Sequence, residues 1–306
     1  MSRQVRVFAP GSIGNVGPGL DILGLAVTGL GDVVTAERTG GSGVVIDEPG
    51  HPALSSDPTR HTSGIAATEV LLRAGARFAL RLQVEKGLPL SGGQGGSAAS
   101  AVAGAVAANL LLDHPLPTRT LLLAALEAET RVAGRHADNI APTLLGGLVL
   151  IQSLDPLEVI RLPVPAALRV VLAHPDRCMP TRTARAVLPA TIPLQVALHQ
   201  AAQVAAIVAA AHSGDLAVLG RALDDRIAEP ARAPLLEGFR EAKLAAVSAG
   251  ALGCSISGSG PTVFALVKDD RSGIRVAEAM SQAYAGLGIA CSTRIAAPDL
   301  EGARRL

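Results

Sequence analysis

The chain has 306 residues and a formal net charge of +1, enough length for one large or two modest domains with their own core. Hydrophobic residues make up 49% but aromatic ones only 2%, with no Trp and one Tyr, so there is no set of stacking platforms for single-stranded nucleic acid. The balanced charge, with no basic cluster longer than Arg304-Arg305, argues against nucleic acid and anionic membrane as partners.

Val5, Val7 and Ala9 alternate with Arg6 and Phe8, which predicts a strand ended by Pro10. Pro10–Asp21 is a glycine-rich loop. Its Asn15 and Asp21 either face a ligand or satisfy the backbone of a turn. Ile22–Val27, Val33–Glu37 and Val44–Ile46 read as strands, and Pro49–Pro58 as a polar loop. Thr62–Ala74 has helical spacing, with Gly75 as its C-cap. Phe78–Val84 alternates again.

Five glycines then fall in the ten residues Gly87–Gly96, and an Ala-rich run continues to about Leu112. A flexible loop feeding a helix start presents unpaired N–H groups and the positive end of a dipole to an anion. Ser97 and Ser100 stand where a hydroxyl caps such a helix or meets a metal. No Lys follows the last glycine, so this is not a Walker A loop. The plainer reading is a turn before a core helix.

A second helix is expected over about Thr118–Val132, carrying Glu127 and Glu129. In Gly134–Thr143 four polar side chains, Arg135, His136, Asp138 and Asn139, crowd between Gly and Pro. This is either a functional loop or a helix start capped by Asp138 or Asn139. Leu144–Gln152 reads as a strand. Pro156, Pro163 and Pro165 mark a boundary, dividing the chain into residues 1–160 and 161–306.

In the second half, Leu168–Ala173 is a strand, and Thr181 and Arg185 share one face if their segment is helical. Leu194–Ser213 and Leu216–Ala228 are expected helices, followed by Arg232 between Pro230 and Pro234. Arg185 and Arg232 are either surface charges or a clamp for a carboxylate. Leu235–Ala249 is helical. Gly253–Pro261 is a third glycine-rich loop. Thr262–Lys268, Ile274–Ala285 and Cys291–Ile295 read as strand, helix and strand. This alternation suggests an α+β sandwich on an antiparallel sheet. The longest apolar run, near Ala201–Ala211 and broken by Gln203, is short for a membrane span. Met1–Phe8 has no apolar leader core. Cys178, Cys254 and Cys291 lack metal-ligand spacing and read as reduced thiols of a cytoplasmic protein.

Three glycine-rich loops with hydroxyls and few lysines suit a polyanion held by backbone amides, as phosphoryl transfer requires. Ser97 and Glu129 are oxygen donors of the kind Mg²⁺ prefers. Asn15-x-Gly-Pro-Gly-x-Asp21, Pro89–Ser100 and Gly258-Ser-Gly-Pro261 resemble the three ordered motifs of the GHMP small-molecule kinases. His136-Ala-Asp-Asn-Ile-Ala-Pro142, Thr181-x-x-x-Arg185 and Arg232 resemble segments of the homoserine kinase branch.

The resemblance implies an α+β fold: a ribosomal-protein-S5-like N-terminal domain and a ferredoxin-like C-terminal sandwich. ATP would lie between them, its phosphates at Pro89, Leu90, Ser91, Gly92, Gly93, Gln94, Gly95, Gly96, Ser97, Ala98 and Ser100. Mg²⁺ would be held by Ser97 and Glu129, and Thr62 would lie near the adenine. L-homoserine would meet Asn15, Asp21, His136, Asp138, Thr181, Arg185, Arg232 and Gly258. Asn139 would orient its hydroxyl, with Ser97 and Glu129 completing the catalytic set, and the product would be O-phospho-L-homoserine. A homodimer is also implied.

The sequence departs from the family pattern in places. Gln94 stands for the usual Leu of Gly-Leu-Gly-Ser-Ser and Gly96 for its first serine, so one phosphate hydroxyl is expected to be lost. Ile13-Gly14 stands where Ser-Ala is usual, and Leu20 where Phe is. Two rival readings are another GHMP kinase, acting on a sugar or mevalonate-type alcohol, and a non-catalytic ligand sensor. The His136–Asn139 segment and paired arginines oppose the first. The joint presence of Ser97, Glu129 and Asp138 opposes the second.

Overall fold

A computed structural model of the chain describes residues 3–306. Met1 and Ser2, the start of the segment read as lacking an apolar leader core, lie outside them.

The first strand, β1 (Arg3–Gly14), does not stop at Pro10. It pairs antiparallel with β2 (Leu23–Thr39) along its length, through a register shift between Pro10 and Gly11. A bulge tolerates a proline that the ladder interior would not. The two strands expected over Ile22–Val27 and Val33–Glu37 are therefore halves of β2. Gly31 lets the pair close, because a Cβ there would lie 2.3 Å from the Ala9 carbonyl oxygen.

Then come β3 (Gly43–Glu48), α1 (Thr62–Ala74), β4 (Ala79–Glu85), α2 (Gly96–Leu110), α3 (Thr118–Val132), α4 (Ile140–Leu145), β5 (Leu148–Leu154) and β6 (Leu157–Leu162). The helix α4 and the turn at Gly146, φ 74°, replace the start of the strand expected from Leu144. The expected division between residues 160 and 161 falls inside β6, which pairs with β5 and so belongs to the first sheet. Helices α1, α2 and α3 pack on that sheet around small and aliphatic side chains. Gly104 of α2 is where α1 crosses: a Cβ would lie 2.5 Å from the Ser63 carbonyl oxygen.

The second half runs β7 (Arg169–Pro175), α5 (Thr181–Ala186), α6 (Leu194–Ser213), α7 (Leu216–Arg221), α8 (Ala228–Arg232), a 3₁₀ turn (Ala233–Leu235), α9 (Phe239–Ser248), β8 (Gly253–Ile256), β9 (Val263–Val267), α10 (Asp270–Ala285) and β10 (Cys291–Ala296). Its antiparallel sheet has the order β10-β7-β9-β8, the fourth-first-third-second arrangement of a ferredoxin-like sandwich. A short β11 (Arg304–Arg305) returns to pair with β1 in the first sheet.

Several expectations change here. Leu235–Ala249 is not one helix: Leu235 closes the 3₁₀ turn, and α9 starts only at Phe239 after left-handed Gly238. Leu216–Ala228 is not one helix. The Asp225 carboxylate takes the amides of Ile227, Ala228 and Glu229 and starts α8 afresh, with Arg232 at its end. The third glycine loop begins as strand β8. At twenty residues, α6 is long and apolar enough to cross a membrane by length and composition, which the count over Ala201–Ala211 missed. Its Gln200 donates to the Pro18 carbonyl and the Asp225 carboxylate, and its Ile207 joins a core that spans both sheets. That shared core includes Leu23, Leu25 and Leu148 from one sheet and Leu172, Phe264 and Leu266 from the other.

Candidate active site

A cleft of about 570 Å³ opens where the three glycine-rich loops meet, a size that suits a small-molecule ligand. At one end α2 begins. Its N-cap is Gly95 in the left-handed region, φ 71°, and no side chain caps it. Ser97 and Ser100 do not cap α2 as expected. The first amides of a fifteen-residue helix thus lack a side-chain acceptor at a point of positive potential. Pro89, Leu90, Ser91, Gly92, Gly93, Gly95, Gly96, Ser97 and Ser100 border the cleft. Gln94 and Ala98 do not: Gln94 is 4% exposed and turned to the second sheet, and Ala98 is buried in the helix packing.

Beneath the loop lies a charge pair that sequence reasoning missed. Lys86 and Asp32 pair, both side chains almost wholly buried. Lys86 Nζ also donates to the Gly96 carbonyl (2.9 Å) and the Ser100 hydroxyl (3.0 Å), and Ser100 donates to Asp32 (2.7 Å). Asp32 further accepts the amides of Gly87 and Leu88. Ser100 is therefore a strut of the helix start. Gly96 itself has ordinary room around a Cβ, the nearest atom being 3.5 Å away.

The acceptor end is built from α3, the loop before α4, and the first glycine loop. Ser97 Oγ donates to Glu129 Oε1 at 3.0 Å. Burial pushes the Glu129 carboxyl up, against the pull of His136 and the Ser97 hydrogen bond. Glu129 Oε2, both His136 ring nitrogens, Asp138 Oδ1 and Arg185 Nε are buried without hydrogen-bond partners. His136 Nδ1 stands 3.5 Å from Asp138 Oδ1, too poorly aimed for a hydrogen bond. Burial disfavours the imidazolium, yet Asp138 and then Glu129 outweigh it and raise His136. Native interiors leave few such atoms unpaired. Five of them fall in one cleft wall.

The other Asp138 oxygen accepts the Asn15 amide at 3.0 Å, and Asn139 Oδ1 accepts the Ser12 hydroxyl at 3.0 Å. These contacts need glycine at 14, where a Cβ would lie 2.5 Å from Asp138 Oδ2. Neither Asp138 nor Asn139 caps α4 with its side chain. Asn15 and Asp21 do satisfy a turn, since Asn15 Oδ1 accepts the Asp21 amide and Asn15 Nδ2 donates to the Gly258 carbonyl. Both also border the cleft, so serving the turn does not take them away from it.

Helix α5 forms, and with it Thr181 and Arg185 reach the cleft. Arg185 makes a two-pronged pair with Asp21, at 3.0 and 2.5 Å. The expected carboxylate clamp and the expected ammonium ligand are thus engaged with each other. Arg232 is 3% exposed and donates to the Ala184 and Gly258 carbonyls. Burial, and then Arg185, depress its pKa. It borders the cleft and forms no salt bridge among the described residues. Thr62, at the start of α1, borders the opposite side with His61 and Arg60.

Family models described as "GHMP kinases N terminal domain" and "GHMP kinases C terminal" match residues 62–147 and 206–286. A homoserine kinase of Arabidopsis thaliana is 44% identical over 294 residues, covering 93% of this chain and 80% of the plant protein. One of Chlorobium phaeobacteroides is 43% identical over 295 residues, covering 92% of each chain. The crystal structure of homoserine kinase from Cytophaga hutchinsonii matches with a TM-score of 0.95 at 38% identity, covering 99% of this chain and 97% of that one. The chain belongs to the homoserine kinase family of the GHMP kinases.

Proposed function

We propose that the protein transfers the γ-phosphoryl group of ATP to the hydroxyl of L-homoserine, giving ADP and O-phospho-L-homoserine. The observation that carries this reading is the pairing, in one cleft, of an uncapped helix start with buried polar atoms that lack partners. The triphosphate lies along the Gly92–Ser97 loop, its oxygens taken by the amides of the first turn of α2.

The amino-acid part of the substrate occupies the wall formed by Asn15, Asp21, His136, Asp138, Thr181, Arg185, Arg232 and Gly258. A zwitterion placed between Asp21 and Arg185 replaces one internal ion pair by two: Asp21 takes the ammonium and Arg185 the carboxylate. Arg232 adds the second positive charge. An uncharged alcohol would leave the Asp21–Arg185 pair closed or strand one of its charges, which disfavours sugar acceptors. His136 and Asp138 orient the substrate, and Asn139, fixed by Ser12, directs the hydroxyl.

Glu129 and Ser97 suit Mg²⁺: both offer oxygen, they touch each other, and Glu129 Oε2 is otherwise unanswered. When bound there, Mg²⁺ would neutralise charge on the β- and γ-phosphates. In the transfer, the substrate oxygen forms a bond to the γ-phosphorus as the bridging bond to ADP breaks. The hydroxyl proton passes to an oxygen of the transferred phosphoryl group. The chain's contribution is positioning and charge stabilisation, with no side chain assigned as a base.

Two further readings complete the proposal. The outward face of α6, with Leu194 67% and Leu198 61% exposed and no Asp, Glu, Lys or Arg in the helix, supports a homodimer. The three unpaired cysteines suit the reducing cytoplasm.

The test is an acceptor panel: protein with Mg-ATP and L-homoserine, mevalonate, galactose or shikimate, following ADP. ADP is expected with homoserine. Turnover with another acceptor and none with homoserine would overturn the substrate, and no turnover despite ATP binding would overturn the enzyme.

A further inference from the structure

We propose that Gln94 is a positioning residue for ATP, its amide latching the back of the phosphate loop to the second sheet through Thr262 and Arg294. The proposal rests on the ATP reading above and adds a role to one of the two positions where this sequence departs from the family loop.

Gln94 sits in the middle of the loop, yet its side chain points away from the cleft. Its Nε2 donates to Thr262 Oγ1 at 3.2 Å, and its Oε1 accepts from Arg294 Nη2 at 3.1 Å. The orientation of the amide is fixed by chemistry, because a guanidinium can only donate. Thr262 is then completely used. Its hydroxyl donates to the Gly92 carbonyl at 2.5 Å, and its amide adds a second bond to the same oxygen. Its two lone pairs receive Gln94 Nε2 and His174 Nδ1, the latter at 2.9 Å. His174 must therefore carry a proton on Nδ1. Burial keeps its pKa below the ordinary value, so the neutral tautomer suffices.

Arg294 is the far anchor. It rises from β10, and its Nη1 donates to the Thr28 carbonyl of β2 at 2.6 Å. No ion pair forms at Arg294 among the described residues, and burial holds its pKa down to about 10. Gln94 and Thr28 are its hydrogen-bond acceptors there. A leucine at 94 would leave one arm of a desolvated cation and one lone pair of Thr262 without partners, which is costly in a buried site.

The same side of the loop touches the second half elsewhere. Ser257 Oγ donates to the Gly93 carbonyl at 2.6 Å, and a Cβ at Gly93 would lie 2.5 Å from the Ser257 carbonyl oxygen. The carbonyls of Gly92 and Gly93 are thus held from behind. Both residues border the cleft on their other side. Gln94 supplies the one side chain of the loop in this bracing, and through Arg294 it ties the loop to both sheets.

The test is steady-state kinetics on Gln94→Leu, Arg294→Met and the double variant, with amide hydrogen exchange over residues 92–97. Gln94→Leu is expected to raise KM for ATP about five- to tenfold, with KM for homoserine unchanged. Arg294→Met reads the same link from its other end and raises KM for ATP similarly. The double variant goes no further than the larger single effect, because both changes break one link. Loop exchange quickens in each variant. An unchanged KM for ATP in Gln94→Leu, an equal rise for both substrates, or a double effect equal to the product of the singles would overturn the proposal. If the unaltered protein does not turn over homoserine, the activity reading fails. The latch is then judged by exchange alone, and identical loop exchange in wild type and Gln94→Leu overturns it.

Discussion

Glu129 concentrates the electrostatic problem of the cleft in one side chain. It is 3% exposed, has one oxygen bonded to Ser97 and the other bonded to nothing, and burial favours its neutral form. In the proposed metal site a cation against it would restore the carboxylate, and the Ser97 hydroxyl would share that cation. Ser97→Ala is therefore expected to lower kcat about a hundredfold with KM for homoserine unchanged, as read by steady-state kinetics; near-normal turnover would move the metal site elsewhere. Asp138→Asn keeps the acceptor for the Asn15 amide but removes the charge with which Asp138 orients the substrate in the proposed complex. It is expected to raise KM for homoserine about tenfold or more while leaving KM for ATP near its wild-type value. Equal losses for both ligands would contradict the placement. At this scale the cleft residues were legible because they lie in short polar, glycine-rich segments. Asp32 and Lys86 were not read, although the signal existed. Asp32 shares the inward phase of Val34 and Ala36, and Lys86 that of Leu80, Leu82 and Val84. A charge in the buried phase of an alternating strand asks for a partner in the same phase.

Among the elements, α1 has a pH-dependent start. His61 is its N-cap: Nδ1 accepts the Ser63 amide, which puts the ring proton on Nε2 against the Pro49 carbonyl. Burial is the largest cause holding its pKa below 6.5, so the native ring is neutral. A depressed histidine contributes stability that is complete above its unfolded value and is lost as pH falls through the lower folded value. The ligand-free protein should therefore melt at progressively lower temperature as pH falls below 6.5. His61→Asn, which keeps a capping acceptor, should flatten that slope in a thermal scan. An unchanged slope would place the acid sensitivity elsewhere. Helix limits were legible where local chemistry sets them: α1, α3 and α6 fall on the expected residues, closed by left-handed Gly75 and Gly214 or opened after Pro117 and Pro193. Of the limits missed, one was set by a distant partner: Pro10 ends no strand because β2 carries the pairing past it. The other was local and unread: Leu216–Ala228 breaks because Asp225 collects the amides two to four residues ahead of it.

For the whole molecule, the decisive contacts join segments far apart in the chain. Gly258 meets Asn15 and Arg232, Arg185 meets Asp21, and the phosphate loop leans on Thr262 and Arg294. Periodicity and propensity say nothing about which loops meet, so this assembly was legible only through the order of the three glycine motifs. The uncharged outer face of α6 belongs to the same scale. Leu194→Glu with Leu198→Glu is expected to convert a dimer to a monomer in sedimentation, and a dimer that survives both would place the interface off α6. Phosphorus NMR of the protein with Mg-ATP and L-homoserine tests whether one cleft joins a triphosphate at α2 to an amino-acid alcohol at Arg185 and Arg232. A phosphomonoester resonance growing in step with ADP is the predicted result; ADP with inorganic phosphate alone, or no loss of ATP, would contradict it.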